Sequence, residues 1–315
     1  MSATLVTGGA GFIGSHVAEA LLARGERVVA LDNFDPFYAR EVKARNLRGA
    51  LGHERYRFIE GDIRDAELVA DTLKGERITR LVHLAAKAGV RPSLLDPQAY
   101  LSANVEGTLA LLEAARRHEV RKFVFGSSSS VYGAASEVPF REDQDITRPI
   151  SPYAASKVAG EAYCYAFHHL YSIPMVVLRF FTVYGPRQRP DLAINKFARL
   201  LAAGEPVTMY GDGTSSRDYT FIADIVAGIL AALDSDLQFE IINLGSSSPV
   251  RLTDLIEAVG EALRAPVRIN REPMQPGDVP RTYACVDKAK RLLGWQPTTS
   301  LEEGLKRYLT WMREQ

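Results

Sequence analysis

Three glycines near the start of the chain constrain the fold more than any other feature. The apolar run 3–6 is followed by Gly8, Gly11 and Gly14, and then by a helical pattern of apolar residues. Glycine permits a tight turn and lets the backbone approach a pyrophosphate, which the N-terminus of the following helix then faces. The order strand, glycine turn, helix therefore predicts the first unit of a dinucleotide-binding sheet.

Asp32 indicates which dinucleotide such a sheet would bind. It directly follows the second predicted strand, 27–31. An acidic side chain at this point can bind both hydroxyls of an adenosine ribose and would repel a 2′-phosphate. No arginine follows in Asp32-Asn33-Phe34-Asp35. The sequence therefore favours NAD over NADP.

Strands and helices alternate along the first two-thirds of the chain. Apolar runs typical of strands fall at 3–7, 27–31, 55–59, 79–84, 121–126 and 174–179, and helical patterns cover 98–118 and 153–171. This alternation predicts an α/β fold, a doubly wound parallel sheet of the Rossmann type. Beyond Arg179 the strands shorten and proline and glycine become denser, which predicts a smaller, interleaved C-terminal substrate domain. We expect a Rossmann domain at 1–179 with a return segment at about 218–244, and a substrate-binding domain at 180–217 and 245–315.

Composition narrows the classes of function. Lys+Arg and Asp+Glu are equal at 38 each among 315 residues, so no net charge indicates nucleic acid or a membrane surface as partner. The sequence contains no run of about eighteen apolar residues, so we expect no membrane-spanning helix. We also expect no signal peptide. Cys164 and Cys285 are far apart, which predicts free thiols in a reducing compartment and a cytoplasmic location. The histidines show no metal-ligand spacing, so we expect no metal site.

Tyr153 and Lys157 form a candidate catalytic pair. They lie one turn apart on the predicted helix 153–171, so their side chains share one face. A lysine ammonium beside a phenol favours the phenolate and lowers a pKa that is ordinarily about 10. The pair therefore predicts a general base that works near neutral pH. The spacing alone leaves a surface helical pair as the alternative interpretation.

A series of motifs along the chain carries a resemblance to a known family. The motifs are Thr7–His16, Gly61–Asp65, His83–Ala86, Asn104–Thr108, Ser127–Gly133, Tyr153 with Lys157, Arg179–Pro186, Arg217–Thr220 and Gln275–Val279. With them the chain resembles an extended short-chain dehydrogenase/reductase over essentially its whole length. Within that superfamily it is most similar to the nucleotide-sugar 4-epimerases that act on UDP-glucuronate or UDP-glucose.

The resemblance implies a reaction in which NAD stays bound and is regenerated in each turnover. Tyr153, as phenolate, would remove the proton of the sugar 4-hydroxyl while the C4 hydride passes to the nicotinamide. Lys157 would lower the pKa of Tyr153 and hold the nicotinamide ribose, and Ser128 would hydrogen-bond the reacting oxygen and relay its proton. The 4-keto sugar would then turn and take the hydride back on its other face, which inverts C4 without net oxidation.

The resemblance also assigns the binding residues. Those implied for the cofactor are Gly8, Gly11, Phe12, Ile13, Gly14, Asp32, Asn33, Asp62, Ile63, Leu84, Ala85, Ala86, Lys87, Tyr153 and Lys157. Those implied for the substrate are Arg91, Ser128, Ser129, Ser130, Thr182, Arg189, Arg217, Asp278 and Arg281. Among them, Asp62 and Ile63 would contact adenine, Arg217 with Arg281 the diphosphate, and Asp278 the uridine ribose.

The substituent at C5 of the sugar is the choice that the motifs leave open. Related dehydratases carry Asp-Glu where this chain has Ser129 and Ser130, so dehydration is not expected. Oxidised UDP-glucuronate can lose carbon dioxide, so its epimerase must hold the carboxylate, and Ser128–Ser130 with Thr182 supply hydroxyl donors. Lys87, however, replaces the glutamine expected for that group. We expect UDP-glucuronate, with UDP-glucose/UDP-galactose as the alternative; decarboxylation to a UDP-pentose and a non-catalytic NAD-sensing module also stay open.

Apolar and aromatic side chains on two predicted helices suggest an assembly. The residues are Leu109 and Leu112 on helix 98–118, and Tyr163, Tyr165 and Phe167 on helix 153–171. Packing on the sheet is the simpler explanation for them. The family, however, pairs these two helices with their copies in a four-helix interface. The resemblance therefore implies a homodimer.

Overall fold

A computed structural model describes residues 2–135, 137–274 and 279–315. The strands are β1 Ala3–Thr7, β2 Val28–Asp32, β3 Tyr56–Glu60, β4 Ile78–His83, β5 Lys122–Ser128, β6 Met175–Phe180, β7 Thr182–Tyr184, β8 Val207–Tyr210, β9 Ser216–Phe221, β10 Phe239–Leu244, β11 Pro249–Arg251 and β12 Ile269–Glu272. The helices are α1 Phe12–Ala23, α2 Arg40–Leu47, α3 Ala66–Gly75, α4 Val90–Leu95, α5 Pro97–Leu101, α6 Gly107–Arg117, α7 Pro152–Tyr171, α8 Ala193–Ala202, α9 Ile222–Asp234, α10 Leu252–Leu263, α11 Asp287–Leu293 and α12 Leu301–Arg313.

The central sheet has seven parallel strands in the order β10-β6-β5-β4-β1-β2-β3. The chain winds outward from β1 to β3 and then crosses to β4 on the other side of β1. Ligands bind doubly wound sheets at such a reversal, outside the carboxyl ends of the strands. The predicted α/β fold with a doubly wound parallel sheet is confirmed.

Both faces of this sheet are covered, which explains why its strands are almost continuously apolar. Successive strand residues alternate between two cores: Leu5, Leu81 and Phe123 face one, and their neighbours Val6, Val82 and Val124 face the other. Helices α3, α6 and α7 pack on the first face, and α1 and α9 on the second.

Two helices beside the carboxyl ends of the strands differ in regularity. Helix α7 begins where predicted because the Ser151 hydroxyl accepts the Ala154 N–H at 3.1 Å and Pro152 suits the first turn. The predicted helix 98–118 is instead divided into α5 and α6 by the π-helical turn Ser102–Glu106. Single π turns inside helices often occur at functional sites.

The chain after residue 180 alternates between the central sheet and smaller sheets. Strands β11, β9 and β7 form a three-stranded sheet, and β12 pairs with β8. Within the predicted return segment 218–244, α9 and β10 belong with the central sheet, whereas β9 lies in the three-stranded sheet. The domain boundaries stay a prediction. In the described ranges, no helix combines the length and the apolar character that crossing a membrane requires.

Candidate active site

A cleft at the carboxyl ends of the central strands gathers most of the predicted residues. Its cavity volume is about 390 Å³. Every residue assigned to the cofactor lines it, as do Ser128, Ser129, Ser130, Thr182 and Arg189 from the substrate set. The candidate base, the glycine turn and the serine cluster therefore share one space.

A second cavity of about 140 Å³ has three lining residues in common with the cleft. Ser129, Ser130 and Thr182 line both, and Arg217 lines the second cavity. The hydroxyl cluster thus lies between the cleft and the arginine that was assigned to a diphosphate.

Three predicted substrate residues are not placed in either cavity. The Arg91 guanidinium stacks 4.6 Å from the ring centroid of Tyr210, and Arg281 is exposed beside Ser216 on the small sheet. Asp278 lies outside the described residues. The roles assigned to these three stay predictions.

The glycine turn leaves no room for side chains. A Cβ on Gly14 would lie 2.1 Å from the Gly8 carbonyl oxygen. Gly8 has φ +70°, and a Cβ there would lie 2.9 Å from the Ala85 nitrogen. The turn therefore brings bare backbone and the N-terminus of α1 against the cleft, which fits the pyrophosphate of a dinucleotide.

Asp32 lies at the cleft wall, where the protein already holds its carboxylate. It accepts the Phe34 N–H at 2.8 Å, the Ala10 N–H at 3.2 Å and the Lys43 ammonium at 3.3 Å. Lys43 is buried and lines the same cleft. The sequence does not predict this role of Lys43, because its spacing on α2 does not distinguish it from a solvated lysine.

The neighbouring acid, Asp62, is held in a similar way. The Arg64 guanidinium forks onto its carboxylate at 2.9 and 2.7 Å, and the Asn33 amide donates to it at 2.8 Å. These contacts, led by the hydrogen bond from Arg64, hold the pKa of the Asp62 carboxyl well below its usual range. Asp62 is therefore a fixed anion in the wall of the cleft beside Asn33.

Asn104, inside the π-helical turn, fixes the segment after β4. Its side chain accepts the Lys87 N–H at 2.7 Å and donates to the Lys87 carbonyl at 2.9 Å and to the Ser156 hydroxyl at 2.9 Å. The Ser156 hydroxyl in turn donates to the Tyr153 carbonyl at 2.7 Å. The Lys87 ammonium pairs with Asp35 at 3.1 Å. Asn104 belongs to a family motif, but only the structure shows what it holds.

His83 joins the glycine-turn strand to this network in its neutral form. Its Nδ1 lies 2.8 Å from the Thr7 hydroxyl and its Nε2 2.9 Å from that of Thr108. The Thr108 hydroxyl donates to the Asn104 carbonyl, so it accepts from an Nε2–H of His83. Burial lowers the pKa of His83 to about 3, which agrees with a neutral ring.

The Tyr153–Lys157 pair differs in one respect from the expectation. The Lys157 ammonium donates to the Gly126 carbonyl at 2.8 Å. Burial raises the pKa of Tyr153, against a hydrogen bond with Ser128 and the charge of Arg189, which lower it. The net pKa of Tyr153 is therefore raised and not lowered as expected, because desolvation outweighs this hydrogen bond and this positive charge. The effect assigned to Lys157 itself stays a prediction.

Arg189, one of the residues predicted to bind the substrate, carries a positive charge that acts on the candidate base. It stacks 5.1 Å from the Phe37 ring centroid and pairs with Asp191 at 2.7 Å. Its charge acts on Tyr153 in the direction that favours the phenolate. The cleft thus has a cation whose charge reaches the candidate base.

Comparison with known proteins identifies the family. The model of the GDP-mannose 4,6 dehydratase family matches residues 5–308. The UDP-glucuronate 4-epimerase of Thermodesulfobacterium geofontis is 40% identical over 98% of this chain and 96% of its own.

Two solved structures agree with this match. The UDP-glucuronic acid 4-epimerase of Bacillus cereus, in complex with UDP-glucuronic acid and NAD, superimposes with a TM-score of 0.94 at 37% identity, covering 99% of both chains. The UDP-glucose 4-epimerase of Thermotoga maritima, with UDP-glucose, gives 0.91 at 34% identity over 99% of this chain and 98% of its own. The chain belongs to the GDP-mannose 4,6-dehydratase family of extended short-chain dehydrogenases/reductases.

Proposed function

We propose that this protein is an NAD-dependent UDP-sugar 4-epimerase, with UDP-glucuronate and UDP-galacturonate as its substrate pair. The observation that supports this most is the shared cavity, which Tyr153 and Ser128 line together with the glycine turn and the hydroxyls of Ser129, Ser130 and Thr182. The similar epimerases that bind NAD with UDP-glucuronic acid support the same assignment.

The shape of the cleft and the groups that line it are suited to bind NAD. The glycine turn, the carboxylate of Asp32 and the backbone of Ala85 provide the features that a pyrophosphate and a ribose need. When bound, NAD accepts the C4 hydride and returns it, and its oxidised ring carries a positive charge, whose sign favours a phenolate.

Tyr153 is the base in this proposal. Its hydroxyl removes the proton of the sugar 4-hydroxyl, and Ser128 positions that oxygen through the hydrogen bond that links the two side chains. Lys157 lies one helical turn beyond Tyr153, and its ammonium is fixed by the hydrogen bond to the Gly126 carbonyl. The cation of Arg189 further offsets the desolvation that opposes the phenolate.

The hydroxyl cluster supports a sugar with a carboxylate at C5. Ser129, Ser130 and Thr182 offer three donors where the two cavities meet. Neutral donors can hold a carboxylate without a buried counter-charge, and several such bonds keep the breaking C–C bond out of alignment with the C4 carbonyl. The same hydroxyls can also bind a hydroxymethyl group, so UDP-glucose/UDP-galactose is the second candidate, and the similar UDP-glucose epimerase supports it.

Incubation with UDP-glucuronate, UDP-glucose and UDP-xylose in separate reactions, followed by NMR of the products, tests the proposal. We expect UDP-galacturonate from the first at the highest kcat/KM. If UDP-glucose is instead converted to UDP-galactose at the highest kcat/KM, the protein is a UDP-glucose/UDP-galactose 4-epimerase. A UDP-pentose formed from UDP-glucuronate would contradict the role of the hydroxyl cluster, and no conversion of any sugar would contradict an epimerase.

We also propose a homodimer formed through α5, α6 and α7. Leu109, Leu112 and Phe167 pack largely inside the subunit, but Leu101, Tyr163 and Leu170 expose 47%, 37% and 65% of their surface on adjoining helices. Such apolar residues on neighbouring helices are typical of an interface. Light scattering should give a dimer, and a monomer at micromolar concentration would contradict it. The cytoplasmic location stays a prediction.

A further inference from the structure

A fully buried ion pair lies directly behind the candidate active site. Glu161 is one turn beyond Lys157 on α7, and Arg179 is near the end of β6; they are 3% and 1% exposed. The guanidinium forks onto the carboxylate, with Nε–Oε1 at 3.0 Å and Nη2–Oε2 at 2.8 Å. Buried pairs of this kind add little stability on balance, so their presence calls for another explanation.

The carboxylate of Glu161 connects three elements that carry reacting groups. The Ser127 hydroxyl donates to its Oε1 at 2.5 Å, and Ser127 precedes Ser128 on β5. Arg179 lies opposite Ser127 in the sheet register and precedes the segment that carries Thr182. Glu161 itself shares α7 with Tyr153 and Lys157. One side chain therefore fixes the base relative to the hydroxyls that would hold the sugar.

The Arg179 guanidinium is also held by hydrogen bonds on the side away from Glu161. Its Nη1 donates to the Tyr132 hydroxyl at 3.0 Å, and that hydroxyl donates to the Asn243 side chain at 2.6 Å. Asn243 lies beside Arg179 on β10. The ion pair is thus part of a satisfied network, which a rigid site requires.

Glu161 also acts on the charge of Lys157. Burial lowers the pKa of Lys157 to about 8, and Glu161 is the first of the groups that raise it. The groups facing Lys157 are Tyr153, Glu161 and Cys164 on α7, His83 on β4, and the Phe125 ring and Gly126 carbonyl on β5, with Arg189 reaching Tyr153 from the loop after β7. His83 is neutral, and burial raises the pKa of the Cys164 thiol. Among these described groups, Glu161 supplies the negative charge.

We propose that Glu161 is a positioning residue for the epimerisation: its carboxylate keeps Lys157 charged and locks the helix of Tyr153 against the strand ends that carry Ser128 and Thr182. Arg179 holds this carboxylate in the ionised form and in place. This inference rests on the proposed function, because it assigns the residues behind that active site.

The pH dependence of Glu161→Gln tests the electrostatic part. Lys157 is charged below its pKa, so activity that depends on its charge is lost as pH rises through that value. Removing the charge of Glu161 lowers the pKa, and the alkaline limb of kcat should move to lower pH by about one unit. In Glu161→Asp the charge stays but the carboxylate retracts. Its alkaline limb should therefore stay near that of the wild type while kcat falls by about tenfold.

Glu76→Gln is the matched control. Glu76 is also buried and pairs with Arg27 and Arg57, but at the amino end of the strands, away from the cleft. It should lower the melting temperature without moving the pH profile. If Glu161→Gln does not fold, the double variant Glu161→Gln/Arg179→Gln, which removes both members of the ion pair, replaces it. The alkaline limb should again move to lower pH, but by less, because the positive charge of Arg179 is lost as well.

Failure of the inference about Glu161 and failure of the proposed function give different results. A folded Glu161→Gln variant, single or double, with the alkaline limb of the wild type would overturn the inference, even if its melting temperature falls. A wild-type protein that converts no UDP-sugar would instead contradict the proposed function itself. The assay on UDP-glucuronate with the wild type alongside separates the two failures.

Discussion

The two halves of the cleft differ in how their polar groups are held. Under the proposed function, the cofactor half comprises Gly8, Gly11, Gly14, Asp32, Asp62 and Lys87, and the sugar half Ser128, Ser129, Ser130, Thr182 and Arg189. In the cofactor half, backbone N–H groups and cations already satisfy both carboxylates, and Asn104 fixes the backbone of Lys87. Within the described residues, the hydroxyls of Ser129, Ser130 and Thr182 make no hydrogen bond to the protein.

This difference separates what the fold determines from what a few side chains determine. The cofactor half is a property of the backbone: its shape requires glycines and its acids are fixed before any ligand arrives. The hydroxyls of Ser129, Ser130 and Thr182 are not committed to protein partners among the described residues, so under the proposed function the substrate would complete their hydrogen bonds. We therefore expect substitutions of the glycines in the cofactor half to abolish NAD binding and activity. We expect substitutions of single hydroxyls in the sugar half to change KM by smaller amounts.

Gly14→Ala should give the largest effect, because it places a methyl group against fixed backbone. The new Cβ would lie 2.1 Å from the Gly8 carbonyl oxygen. We expect loss of co-purifying NAD, loss of epimerisation below detection, and a free energy of unfolding lower by about 3 kcal/mol. Absorbance of the released cofactor and urea unfolding measure these effects.

Gly75→Ala is the control for that substitution. Gly75 ends α3, and a Cβ there meets nothing within 4 Å. It should leave NAD content and activity unchanged. A Gly14→Ala variant that keeps its NAD would show that the cofactor half is less rigid than its geometry indicates.

Tyr153→Phe, at the junction of the two halves, should have the next largest effect. Without the hydroxyl, kcat should fall by about 10³-fold, because positioned proton transfer contributes on that scale. NAD content should stay at the wild-type level, since the cofactor half is untouched. Tyr100→Phe is the control: that ring packs edge-on 6.1 Å from Tyr153, and its hydroxyl donates to the Ala88 carbonyl. Wild-type turnover in Tyr153→Phe would contradict the proposed base.

The sequence predicts the features that depend on local order. The unit β1, glycine turn, α1 is visible because each part follows the previous one along the chain, and the pairing of Tyr153 with Lys157 is visible through helical spacing. The parallel sheet with helices on both faces follows from the alternation of strands and helices along the chain. These features place the cleft, and the structure puts every residue assigned to the cofactor in its wall.

The remaining features depend on contacts between distant segments. Lys43 meets Asp32 across a loop, and Glu161 meets Arg179 across a helix and a strand, which no spacing predicts. The raised pKa of Tyr153 comes from burial, a property of the packed site and not of the Tyr-x-x-x-Lys pattern. Arg91 lines neither cavity and stacks on Tyr210, a contact that depends on how β8 packs.

Ser129→Ala should give the smallest effect, and it tests the sugar half most directly. Ser129 lines both cavities, and the loss of one hydrogen bond to a carboxylate costs about 1.5 kcal/mol, or about tenfold in KM for UDP-glucuronate. KM for UDP-glucose should change less, since its hydroxymethyl group is neutral. A looser carboxylate also turns more easily into alignment with the C4 carbonyl, so NMR should detect a rising share of UDP-pentose. Equal changes in KM for both sugars, without any pentose, would place the carboxylate elsewhere and leave UDP-glucose as the better candidate.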